Sequence, residues 1–215
     1  EIDAYIDSHL IPEDPILLQT LKNTEERGFP DHLAVAPNQG MLLQMLIQMN
    51  KCKRVLELGT FAAYSTMWLA RALPEDGYIL TIEGRDTHAA LGQENIHNAK
   101  LPQTIDLKVG RAADVLKALP ADFEAFDFIF IDADKQSYPE YLELSLDLSH
   151  SGTIIVLDNV IRGGEIINPE NHKPSIEGIR EMFVALQNHP RILSCTALQT
   201  VGSKGHDGFA LAIVK

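Results

Sequence analysis

Val55-Leu56-Glu57-Leu58-Gly59-Thr60 decides the fold class of this chain. A short apolar run ends in an acid and a glycine, and a helical pattern opens just beyond, at Tyr64-Ser65. A second apolar run, Tyr78 to Ile82, ends in another acid, Glu83. This is the layout of a nucleotide-type pocket at the carboxyl ends of two adjacent parallel strands. Gly59 lets backbone approach a ligand closely, and an acid after the second strand can grip ribose hydroxyls.

The ligand class turns on what the turn lacks. A dinucleotide fingerprint, G-x-G-x-x-G, cradles a pyrophosphate. Here Gly59 is the only glycine between Leu58 and Leu73, and Glu57 stands close beside it. An acid at the turn repels phosphate and favours a cationic ligand. S-adenosylmethionine has a ribose, a sulfonium and an amino group but no phosphate, and it fits these residues.

A chain of 215 residues, 45% of them hydrophobic, suits one α/β domain with a sizeable core. No apolar run approaches the roughly 20 residues that span a bilayer. The chain opens at Glu1 with polar, acidic residues rather than a secretory signal, and a first residue other than Met implies a few residues upstream. A net charge of −12 without a Lys/Arg cluster weighs against broad nucleic-acid affinity. Cys52 and Cys195 lie far apart and read as two reduced thiols of a cytoplasmic protein. The eight histidines form no H-x-x-x-H pair, so no zinc site is expected.

No repeat or linker interrupts the chain, so residues 1–215 read as a single domain. Its N-terminal helices occupy 1–50 and its cofactor-binding core 51–215. Pro12-Glu13-Asp14-Pro15 starts a helix running to about Arg27, and Gly28-Phe29-Pro30 breaks it. Asn38 reads as the cap of a second helix, with Met41, Leu42, Met45, Leu46 and Met49 on one side. That apolar stripe and the N-terminal helix point to a homodimer. Strands are then expected at Arg54–Leu58, Tyr78–Ile82, Ile105–Val109, Phe126–Ile131, Thr153–Leu157, Leu193–Leu198 and Gly208–Val214. Helices are expected between them at Tyr64–Ala72, Thr87–Ala99, Ala113–Leu119, Tyr138–Leu148 and Ser175–Asn188. The alternation predicts a mostly parallel sheet covered on both faces. Only a short polar loop joins the last two strands, so they form an antiparallel hairpin.

Ligands of open α/β sheets bind outside the carboxyl ends of the strands. Four strands here end in Glu57, Glu83, Asp132 and Asp158-Asn159. Acids at one sheet edge repel one another unless something positive offsets them. A sulfonium is one candidate. The other is a divalent cation held by Asp132, Asp158 and Asn159, an all-oxygen set suited to Mg²⁺, Mn²⁺ or Ca²⁺. Lys135, three residues past Asp132, is a general-base candidate, against the plainer reading of a surface lysine paired with Asp134. Gly110 permits a tight turn over an adenine.

Together these stretches resemble the cation-dependent small-molecule O-methyltransferases, the group containing catechol and caffeoyl-CoA O-methyltransferases. The resemblance runs from about Val35 to Val214. It is carried by Leu56-Glu57-Leu58-Gly59-Thr60-Phe61 with Tyr64-Ser65, by Ile131-Asp132-Ala133-Asp134-Lys135 with Tyr138, by Asp158-Asn159-Val160, and by Asp207-Gly208 near the end. It implies a Rossmann-like class I methyltransferase fold, α/β, with seven strands and a reversed C-terminal strand. It implies Asp132, Asp158 and Asn159 as metal ligands and Lys135 as the catalytic residue. Glu83 would hold the ribose, and Ala112 would meet the adenine through its backbone. Glu57, Gly59 and Ser65 would surround the methionine half, with Val35 near the sulfonium and Asp132 near the amino group. Two positions depart from the family pattern. Ala63 stands where relatives usually carry Gly, and Arg162 where bacterial and plant relatives often carry Trp. An arginine there makes an acceptor with a carboxylate or phosphate more attractive.

The reaction so implied moves a methyl group to a hydroxyl of a small molecule with adjacent oxygens. A hydroxylated tRNA nucleoside is the alternative acceptor, and a non-catalytic cofactor-binding protein the alternative role. A nicotinamide-dependent dehydrogenase would need the glycines that are missing after Leu58.

Overall fold

The computed structural model describes residues 1–30 and 33–215. Two compact units are distinguished, Glu1–Arg111 and Ala112–Lys215. The first contains α1 (Ile2–Leu10), α2 (Pro15–Glu26), α3 (Pro37–Met49), β1 (Arg54–Leu58), α4 (Tyr64–Ala72), β2 (Tyr78–Glu83), α5 (Asp86–Ala99) and β3 (Thr104–Val109). The second contains α6 (Ala112–Lys117), β4 (Phe126–Ile131), α7 (Tyr138–Asp147), β5 (Ser149–Asp158), α8 (Pro174–Asn188), β6 (Ile192–Gly202) and β7 (Gly205–Val214). Short 3-10 segments lie at Lys135–Ser137 and Arg162–Ile167. The seven strands form one sheet in the order β3-β2-β1-β4-β5-β7-β6. Among the described residues no helix is long and apolar enough to cross a membrane.

In the first unit β2 pairs in parallel with β1 and with β3. In the second, β4 and β5 are parallel, while β7 runs antiparallel to both β5 and β6. The reversed C-terminal strand and the closing hairpin are thus both present. Successive strand residues face opposite sides of a sheet. Val55 to Leu58 are buried without a break, as are Phe128 to Ile131, so these strands are covered on both faces.

Local chemistry explains the helix starts. Asp14 caps α2, accepting from the N–H groups of Ile16 (2.8 Å) and Leu17 (3.2 Å), with Pro15 in the first turn. Asn38 does not cap α3. Proline's fixed φ suits the first helical position, so Pro37 starts the helix and Ala36 is the cap residue. The Asn38 amide instead reaches Asp3 at 3.4 Å. The helix α1 carries no buried residue in the single chain. The closing strands are longer than their apolar cores suggest, since backbone pairing continues through polar residues to Gly202 and Gly205.

The buried stripe of α8, Ile176, Ile179, Met182 and Leu186, follows helical spacing. Gly178 stands in that stripe because a Cβ there would press into the backbone of Lys135 and Gln136, at 2.7 Å from the Gln136 Cα. The helix therefore packs directly on the turn that carries Lys135. Gly178→Ala should destabilise the fold by about 1–3 kcal/mol, the usual cost of overpacking. Urea unfolding measures it, and an unchanged midpoint would contradict this close approach.

Candidate active site

The first unit gathers Glu57, Gly59, Ser65 and Glu83. Gly59 has φ +103°, and its N–H donates to the Ile82 carbonyl at 2.9 Å, tying the turn after β1 to β2. That backbone angle is the reason for glycine here. Glu57 is fully buried inside a cage of hydroxyls. Ser65 donates to Oε1 at 2.5 Å, while Thr66 (2.5 Å) and Thr81 (2.7 Å) donate to Oε2. Glu57 therefore orders the start of α4 through Ser65 and Thr66. Thr66 and Thr81 were not legible as part of this network, because sequence spacing does not reveal which hydroxyls converge on one carboxylate.

Glu83 ends β2 as expected. It accepts from the N–H groups of Phe61 (2.8 Å) and Arg85 (3.0 Å), and His88 Nδ1 lies 3.7 Å away. A carboxylate has about four acceptor sites, so two such bonds leave capacity for ribose hydroxyls. The turn between them is strained. Phe61 (φ +46°) and Ala63 (φ +63°) are both left-handed, so Ala63 does occupy the conformation for which glycine would be the easier residue. Asn95 supports the turn by donating to the Ala62 carbonyl at 2.9 Å. Val35 is buried just ahead of α3, and Ala112 is buried at the start of α6.

The second unit gathers Asp132, Lys135, Asp158 and Asn159. Ile131 pairs with Leu157 in the parallel register, which brings Asp132 and Asp158 to neighbouring strand ends. Lys135 Nζ lies 2.6 Å from Asp132 Oδ1, with its side chain only 12% exposed. It is not a surface lysine paired with Asp134, which accepts from Ser137 and Tyr141 instead. Asp158 is buried, and its Oδ1 accepts the N–H of Asn159 at 2.8 Å. Asn159 is left-handed, with φ +54°.

Tyr138 is buried beneath these groups. Its hydroxyl donates to the Asp158 carbonyl (2.7 Å) and lies 3.1 Å from the Ile131 carbonyl. Burial, then the carboxylates of Asp132 and Asp158, push its pKa well above the usual tyrosine value, with Arg162 acting in the opposite sense. It therefore stays protonated and remains a donor at neutral pH. Asp207 is a further residue whose role the sequence did not disclose. Its Oδ1 accepts from Ile161 (3.1 Å), Arg162 (3.0 Å) and Gly208 (3.0 Å). The Asp-Gly pair in a closing hairpin was the only signal available.

The chain matches the model of a family described as O-methyltransferase over residues 7–212. It is 45% identical to a catechol O-methyltransferase of Niastella koreensis, over 100% of this chain and 96% of the relative. The structure of an O-methyltransferase from Bacillus cereus in complex with SAH superposes with a TM-score of 0.95 at 44% identity, covering 100% of this chain and 97% of the other. The O-methyltransferase TomG from Streptomyces achromogenes, solved with SAM, gives 0.93 at 39% identity, covering 99% and 95%. The chain therefore belongs to the O-methyltransferase family, enzymes that take a methyl group from S-adenosylmethionine.

Glu57→Ala should leave three hydroxyls without their charged acceptor. Each bond to a charged group is worth about 1.5–3 kcal/mol, so a loss of at least about 3 kcal/mol is expected in chemical denaturation. A loss below about 1 kcal/mol would mean that the hydroxyls re-pair and the cage does not hold the turn.

Proposed function

We propose that this enzyme methylates one hydroxyl of a small molecule with two adjacent oxygens, of the catechol type, with a divalent cation at Asp132, Asp158 and Asn159. The observation that carries this reading is the parallel pairing of Ile131 with Leu157, which sets Asp132 and Asp158-Asn159 at neighbouring strand ends, with the Lys135 amine on Asp132. Among the described residues no three His, Cys, Asp or Glu side chains gather as a metal site, so a cation here must use the Asn159 amide oxygen with the two carboxylates. The donor set fits. All three ligands are hard oxygens suited to Mg²⁺, Mn²⁺ or Ca²⁺, and Asp132 already holds a positive group.

S-adenosylmethionine supplies a methyl group activated on a sulfonium. A bound cation supplies a positive centre that lowers the pKa of an acceptor hydroxyl. The remaining work falls to the chain. Glu83 grips the ribose, and the backbone of Ala112 meets the adenine. Gly59 and Ser65, the latter ordered by Glu57, surround the methionine half, with Val35 by the sulfonium and Asp132 by the amino group. Asp158 and Asn159 face the acceptor and orient its two oxygens. Lys135 shares Asp132 with the cation. Its nitrogen, held on Asp132 at the strand end, is the group placed to take the proton of the attacking hydroxyl. The methyl carbon then gains a bond to oxygen as its bond to sulfur breaks, and that electron pair stays on sulfur.

Residues 1–215 act as one domain in this reading, in the cytoplasm. The enzyme is a homodimer. Met45 and Met49 on α3, and Ile2, Tyr5 and Leu10 on α1, are apolar and exposed in the single chain. Light scattering at micromolar concentration should give twice the chain mass, and a monomer mass would overturn this.

Excess EDTA should abolish methylation of catechol. Asp158→Ala should do the same while sparing most of the affinity for S-adenosylhomocysteine, whereas Asp132→Ala should damage both. Lys135→Ala should lower the rate by about 10²–10⁴-fold, with partial recovery at higher pH as the acceptor ionises unaided. Undiminished turnover in EDTA would show that these residues only cap strand ends.

A further inference from the structure

The proposed acceptor site leaves one positive group unused. Arg162 follows Asn159 by three residues, at the start of the turn that leaves β5. The second unit has three arginines. Arg180 pairs with Glu177 and donates to the carbonyls of Ile166, Asn168 and Asn171. Arg191 lies against Asp147 and donates to the Ser149 carbonyl. Arg162 is exposed, and among the described residues no carboxylate pairs with its guanidinium. In a chain with 30 acids against 18 Lys and Arg, a lone guanidinium needs a reason.

The backbone beneath it is firmly built. Asp207 holds the N–H groups of Ile161, Arg162 and Gly208, and Val160 donates to the Gly208 carbonyl at 3.0 Å. The Asp207 carboxylate is thus committed to backbone and forms no ion pair with the arginine above it. Arg162 itself is left-handed (φ +54°), followed by Gly163 (+66°) and Gly164 (+87°). A long side chain in that conformation persists only where the surroundings impose it. Arg162 thus stands three residues beyond Asn159, on the anchored turn that follows the strand end proposed to face the acceptor.

We propose that Arg162 is a specificity residue that binds an anionic substituent of the acceptor, so the preferred acceptor is an aromatic carboxylic acid with two vicinal hydroxyls. This inference rests on the function proposed above. The planar fork of a guanidinium matches a carboxylate through two charge-assisted hydrogen bonds. A ring held by Asp158 and Asn159 at its hydroxyls would present its far substituent to this arginine. An amine at that place would meet a like charge.

The test compares initial rates on protocatechuate, catechol and dopamine for the wild-type enzyme, Arg162→Gln and Arg162→Gly. The second variant removes the charge while suiting the left-handed backbone, so a folding defect in the first does not decide the result. The wild type should prefer protocatechuate over dopamine by at least about 10-fold in kcat/KM. Both variants should cut the ratio of protocatechuate to catechol by about 10–100-fold, mostly through KM, and Arg162→Lys should keep part of it. Equal ratios in wild type and variants, with all of them methylating catechol, would sink this inference and leave the proposed function standing. No methyl transfer to any of the three acceptors, or transfer to tRNA instead, would overturn both.

Discussion

The chemistry at the ends of β4 and β5 depends on one buried hydroxyl. Tyr138 sits under both strand ends and directs its proton at the main-chain carbonyls of Asp158 and Ile131. Those carbonyls belong to, or directly precede, the residues that carry the carboxylates. A shift of either strand end would break a bond at 2.7 or 3.1 Å in a place where water cannot replace it. The same ring lies 5.4 Å from the Lys135 nitrogen, so one side chain spaces the acids and supports the amine above them. Gly178 closes the arrangement from outside by letting α8 rest on the backbone of the Lys135 turn.

Four acids along strand ends would repel one another if left to solvent alone. The chain offsets each of them locally, and by a different device. Glu57 takes three hydroxyls, Glu83 two backbone N–H groups, Asp132 an ammonium and Asp158 the N–H of its neighbour. These devices differ in how readily they yield. Three short bonds from buried hydroxyls hold Glu57, so it is a fixed part of the framework. An ammonium on a flexible stem can move, so Asp132 can change partners. The division between framework and reactive group thus follows from the donor each acid has.

Much of the framework was legible because it rests on continuous apolar runs. Arg54–Leu58, Tyr64–Ala72 and Phe126–Ile131 stand where the pattern puts them, since strands and helices buried on all sides announce themselves by composition. The polar outer parts of β6 and β7 did not, because backbone pairing holds them and no apolar face does. The acids themselves were readable from their place after each strand. Their partners were not. Thr81 meets Glu57 across 24 residues and Asp207 meets Arg162 across 45, and only the folded chain brings such pairs together.

The distribution of backbone strain separates the two kinds of turn in this fold. Among the described residues, the non-glycine positions with left-handed backbone are Lys51, Phe61, Ala63, Lys100, Asn159 and Arg162. Lys100 caps α5 and Lys51 follows the end of α3, where helix termination accounts for the conformation. The other four follow β1 and β5, the strands whose acids belong to the candidate site. There dedicated bonds hold them: Glu83 to Phe61, the Thr60 carbonyl to Ala63, Asp158 to Asn159 and Asp207 to Arg162. Backbone fixed in this way has its N–H and C=O directions set before a ligand arrives. A transfer that needs oxygen, carbon and sulfur in line gains most from that kind of rigidity, because alignment is the part of the barrier that a protein can remove in advance.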